Sequence, residues 1–135
     1  MFTINSVEDF KMIVKRVLEV AATGEKDIRT VKSFNDNDDD WFVGIVIEDD
    51  EARNMVTIQG GRNNDYIVAD LFFNVKEKDV NLLMNEKYYG NGNLCHLVRV
   101  NEDFTAVLSI RRFIDNEEDF EALVGTVKFM VMKTS

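Results

Sequence analysis

Proline is absent from this 135-residue chain, and cysteine and histidine occur once each. No uncharged run approaches the ~18 apolar residues of a membrane-spanning helix. Each gap excludes something. Without proline, every element boundary has to be written in Gly, Asn and Asp. A lone Cys95 cannot close an intramolecular disulfide, and Met1-Phe2-Thr3-Ile4-Asn5-Ser6 has neither the basic nor the apolar region of a secretory leader, so the expected compartment is the cytoplasm. His96 neighbours Cys95, and adjacent residues of a strand point to opposite faces, which prevents a side-by-side Cys-His dyad. A zinc site would need three or four ligands. No catalytic residue, cofactor or metal is assigned.

Basic residues are the scarce charge: 16 Lys and Arg stand against 25 Asp and Glu, for a formal net charge of −9. Neither a nucleic acid nor an anionic membrane is the expected partner, because both need clustered cations. A basic protein or peptide is permitted. Eight of the acids fall within residues 36–51, as Asp36, Asp38, Asp39, Asp40, Glu48, Asp49, Asp50 and Glu51, with no base among them.

Motif fragments fail on inspection. Asp36-Asn37-Asp38-Asp39-Asp40 has the alternating carboxylates of a calcium loop, but Trp41 takes the place of the sixth-position glycine and Ile47 that of the twelfth-position glutamate. A solvated turn is the reading, with weak cation binding left open. Gly90-Asn91-Gly92 follows a helical stretch rather than a strand, and Gly60-Gly61-Arg62 lacks the Gly-Lys-Ser/Thr end of a phosphate loop. Arg111-Arg112, with Arg99 nearby, is set among acids and is expected to make surface ion pairs.

What the chain does have is a period that switches between 3.6 and 2. Trp41 to Ile47, seven uncharged residues fenced by acids, reads as a central strand with Trp41, Val43, Ile45 and Ile47 on one face and Phe42, Gly44 and Val46 on the other. Phe10, Ile13, Val14, Val17, Leu18 and Ala21 form the stripe of a helix capped by Ser6 and stopped near Gly24. Strands are expected at Ile28–Phe34, Met55–Gln59 and Tyr66–Val75, the last placing Val68 and Phe72 opposite Ile67 and Leu71. A second helix covers 78–89, with Asp79 as cap and Val80, Leu83, Met84 and Tyr88 as its stripe. A hairpin of Leu94–Val100 and Phe104–Phe113 follows, with Ala106, Leu108 and Ile110 toward the core. The last helix, 116–132, turns Phe120, Leu123, Val124, Val127 and Val131 inward and leaves Phe129, Met130 and Met132 on other faces. The fold class is therefore α+β. It is one domain over 1–135, a single antiparallel sheet with helices 6–23, 78–89 and 116–132 packed on it, in the order α-βββ(β)-α-ββ-α.

Phe42, Val46, Val68 and Phe72 lie on the second face of the two strongest strands, an apolar surplus that either meets a partner or completes the core. The element order, the acidic balance, Val80-Asn81-Leu82-Leu83-Met84-Asn85-Glu86 and the terminal helix opening Glu117-Glu118-Asp119-Phe120 together resemble the fold of class I type III secretion chaperones and the bacterial sensory transduction regulator (YbjN) family. The resemblance is confined to residues 80–131 and to element order before them. It implies a non-enzymatic homodimer that binds a polypeptide partner, with Val80, Leu83 and Met84 near the dimer contact. Two other classes stay open: an acidic inhibitor or immunity-type protein, with nucleic-acid mimicry the weaker form of that idea, and a small hydrolase.

Overall fold

The computed structural model describes residues 5–24, 27–48, 53–65, 67–76, 94–100 and 105–133. Helix α1 spans Val7–Ala21 and starts where the sequence says it must: the Ser6 hydroxyl accepts the Asp9 N–H at 3.4 Å, with Glu8 and Asp9 in the first turn facing the positive end of the helix dipole. Its buried residues include Phe10, Ile13, Val17, Val20 and Ala21. Helix α2, Glu117–Lys133, is capped reciprocally: the Asn116 carbonyl oxygen of the side chain accepts the Asp119 N–H at 2.9 Å, and the Asp119 carboxylate accepts the Asp115 N–H at 3.0 Å.

Six strands complete the described fold: β1 Asp27–Lys32, β2 Asp40–Glu48, β3 Arg53–Gly61, β4 Ile67–Lys76, β5 Leu94–Val100 and β6 Thr105–Ile114. They form one sheet in the order β1-β2-β3-β4-β6-β5, every neighbouring pair antiparallel. The α+β class and the single antiparallel sheet are thus as expected. One placement differs. β2 pairs on both sides but lies second from the edge, because only the six-residue β1 flanks it. β3 and β4 take the centre. The helix expected over 78–89, with Val80, Leu83 and Met84, lies outside the described residues.

Both helices pack on the same face of the sheet and on each other, α1 over β2 and β3, α2 over β4 and β6. Beneath them the period of two is strict. Trp41, Val43, Ile45 and Ile47 of β2, Val56 and Ile58 of β3, Ile67, Ala69 and Leu71 of β4, and Ile110 and Ile114 of β6 are buried. The side chains of Ala106 and Leu108 lie outside the description. α2 buries a broader stripe than its expected one: Met130 is fully buried with Leu123, Val124, Val127 and Val131, and Phe129 packs against the core. The reason is that α2 meets two surfaces, the sheet and α1, so more of its circumference is apolar contact.

Two glycines set how closely these parts approach. At Gly24 a Cβ would stand 2.5 Å from a Val131 methyl, so the end of α1 can seat against α2 only without a side chain there. At Gly60 a Cβ would press on Ile67, Phe10 and Trp41 at 3.1, 3.2 and 3.4 Å. Its absence makes room for the aromatic cluster in which the Phe10 ring stands edge-on to Phe34, with centroids 5.4 Å apart, and 5.5 Å from Trp41.

Phe10→Ala removes the centre of that cluster and is expected to cost about 3–5 kcal/mol. Met12→Ala, on the exposed side of the same helix, is expected to change stability by no more than about 0.5 kcal/mol. Urea unfolding of the two variants checks the pair.

Candidate protein-interaction face

The face of the sheet away from the helices carries the alternate residues. Phe42, Val46, Val68 and Phe72, the four singled out from sequence, all lie on it. Phe72 is 38% exposed, and the sequence reading missed two companions, Met55 at 37% and Val31 at 62%. Val31 could have been found from the alternation in β1. Met55 was assigned to a strand but not to a face.

Register resolves the four into two rows. One runs across three strands as Val46, Met55 and Phe72, each directly opposite the next. The other is Phe42, Gln59, Val68 and Phe113, in which Gln59 interrupts the apolar sequence. Between them crosses a third row, Val31, Gly44, Thr57, Asp70 and Arg111. The two apolar rows are four residues apart along each strand, or roughly 13 Å at ~3.3 Å per residue. The Phe42 ring covers part of that gap at Gly44, lying in ordinary contact 3.6 Å from where a Cβ would be.

Arg111 and Asp70 hold the middle row. The Arg111 Nε donates to Asp70 Oδ1 at 2.7 Å and its terminal nitrogen to Oδ2 at 3.3 Å, a two-pronged pair in which the carboxylate is only 14% exposed. Arg111 thus makes the ion pair expected of it, although with a partner on β4 rather than with the acids near it in sequence. Arg112 does not. It is 2% exposed beneath α2, its Nε donating to Thr126 Oγ1 at 2.8 Å, and that hydroxyl donates in turn to the Ala122 carbonyl at 3.0 Å. Strand alternation forces this split, since neighbouring residues of β6 face opposite sides.

The acid-rich loop before β2 is a built structure. The Asp38 carbonyl accepts from Trp41 Nε1 at 2.9 Å and from Arg62 Nε at 3.3 Å, and Arg62 also donates to the Asp36 carbonyl. The Asp38 carboxylate accepts the Asn35 N–H at 2.7 Å, Asp39 lies 3.8 Å from Arg62, and Asp36 lies 2.6 Å from Lys11. Gly61 is required here, because a Cβ would fall 2.6 Å from the Asp39 carbonyl oxygen. The carboxylates are turned toward separate partners, and among the described residues no three acids, histidines or cysteines converge as a metal site. His96 and Cys95 occupy β5 opposite Ser109 and Ile110, and their side chains lie outside the description.

No family model matches this chain, and no curated protein or solved structure matches it either. Among the described residues, no helix is long and apolar enough to cross a membrane.

The hydrogen bond from Lys11 holds the Asp36 carboxyl below its usual range, helped by the charges of Lys11, Lys32 and Arg62. A carboxyl lowered in the folded state adds stability above its unfolded pKa, and the contribution disappears as pH falls through the folded value. An NMR titration is expected to place the Asp36 midpoint below that of an ordinary aspartate, and Lys11→Ala is expected to return it toward normal.

Proposed function

We propose that this is a non-enzymatic, chaperone-like or regulatory protein that binds an extended polypeptide partner on the open face of its sheet. The observation that carries the reading is the row Val46, Met55 and Phe72, with Val31 at the sheet edge. It is an apolar surface left to solvent while the opposite face is filled by two helices. An extended segment presents side chains at alternate positions and can match such a surface. The acids at the start of β2 stand beside Phe42, so a partner with basic residues flanking its apolar core is steered toward the face. Cytoplasmic location and a homodimer belong to the same proposal and rest on the cysteine count and the resemblance; a dimer would scatter as twice 15.6 kDa.

The acidic-inhibitor reading needs carboxylates that are themselves the contact surface. Against it stand the engagement of Asp36 by Lys11 and the placing of Arg62 within reach of Asp39.

A peptide array separates the two. Wild type is expected to retain peptides with alternating apolar residues and flanking Lys or Arg, and Met55→Ser combined with Phe72→Ser to weaken them about tenfold or more, chiefly through faster dissociation. Replacing Asp38, Asp39 and Asp40 by Asn is expected to slow association and flatten its salt dependence. If that triple variant abolishes binding at every salt concentration while the Ser variant binds normally, the acids are the recognition surface and the inhibitor reading replaces this one.

A further inference from the structure

On the helix-bearing side, away from Met55 and Phe72, a groove of about 510 Å³ runs between α1 and the β1–β2 hairpin. Its apolar lining comes from Val14, Leu18 and Ala22 of α1, with Phe34 and Val43 opposite. Phe34 and Val43 are buried and form the floor; Val14 and Leu18 are half-buried and form the wall. The α1 side extends from Lys11 to Ala22, which at ~1.5 Å per residue makes a trough roughly 16 Å long. An unbranched hydrocarbon chain can lie along that trough against Val14, Leu18 and Phe34.

The charge around the groove is unlike the rest of the chain. Three lysines line it, Lys11, Lys15 and Lys32, in a protein of net charge −9. Lys11 is engaged by Asp36, and the groove's one acid, Glu19, stands 3.6 Å from Arg16. Among the described residues no carboxylate lies within ion-pair distance of Lys15 or Lys32, and the Lys32 ammonium stands 4.8 Å over the Phe34 ring. The lysines gather toward one end: Lys11 and Lys15 precede Leu18 and Ala22 along α1, and Lys32 stands over Phe34, whose ring packs on Phe10 next to Lys11. The opposite end, around Leu18 and Ala22, holds no lysine, and Glu19 is its one charged side chain. The groove therefore has a cationic head and a greasy tail.

We propose that this groove binds a single amphipathic anion, a carboxylate on an unbranched hydrocarbon tail. The tail lies along Val14, Leu18 and Ala22 over Phe34 and Val43, and the carboxylate sits between Lys15 and Lys32. Burial of the tail supplies the affinity, and the two ammonium groups select the sign of the head. The site is separate from the open face and does not depend on the function proposed for it.

Calorimetric titration of the full chain with dodecanoate below its micellar concentration tests this. Saturable one-to-one binding is expected, with dodecyltrimethylammonium, which has the same tail and the opposite charge, at least about tenfold weaker. Lys15→Glu with Lys32→Glu, both on the surface, is expected to weaken dodecanoate about tenfold or more, with an unchanged circular dichroism spectrum showing that the fold is kept. Methyl signals of Val14, Leu18 and Val43 are expected to shift on binding. Equal binding of the cationic detergent, unchanged affinity in the double variant, or shifts confined to Met55 and Val46 would each overturn the proposal. Preferential binding to phosphatidylglycerol vesicles over free dodecanoate would also overturn it, in favour of a membrane surface.

Discussion

Alternate residues of β2 and β3, with Ile67, Ala69 and Leu71 of β4, are pinned beneath two helices, and that single constraint commits their neighbours in those strands to the other side of the sheet. A strand cannot rotate part of its side chains away without a bulge, because the period of two is set by backbone geometry. Once Trp41, Val43, Ile45 and Ile47 are under α1, Phe42 and Val46 have nowhere else to go. The composition of the open face is therefore chosen independently of the core. A sheet with one solvated face usually alternates apolar and polar residues, and β2 does not. Apolar residues at these positions add nothing to the core beneath α1, and the proposed binding role is the use we assign to them.

The same alternation explains how one strand can hold two arginines with opposite fates. Arg111 pairs with Asp70 on the open face, dividing the two apolar rows, while Arg112 is buried against Thr126. The open face is thus a polar bar with apolar rows on either side. That geometry suits a partner that crosses the strands, laying hydrophobic side chains on Val46, Met55 and Phe72 and polar backbone over the bar.

Much of this was legible in the sequence, for reasons that can be named. Ser6 caps α1 through an interaction confined to four residues, and the face assignments of Trp41–Ile47 and Ile67–Leu71 follow from period alone. What could not be read depends on register or on distant partners. Phe42 and Phe72 were placed on the right face, but that they fall in different rows follows only from the pairing of β2 with β3 and of β3 with β4. Arg112 reads as a surface charge until Thr126, fourteen positions later, is brought over it. Met130 looks surplus on a single helical stripe and becomes core because α2 packs on α1 as well as on the sheet. The lysine-ended groove joins positions of α1 to Lys32, Phe34 and Val43, a juxtaposition that local pattern does not encode.

The account stands on the claim that the row of Met55 faces solvent in the free protein and is covered by a partner. Relaxation of methionine methyl signals by a soluble paramagnetic agent tests it directly, with buried Met130 as an internal reference. The account predicts strong broadening of the Met55 methyl in the free protein, none at Met130, and protection of Met55 on addition of a bound peptide. A Met55 methyl already as protected as that of Met130 in the free protein would contradict it.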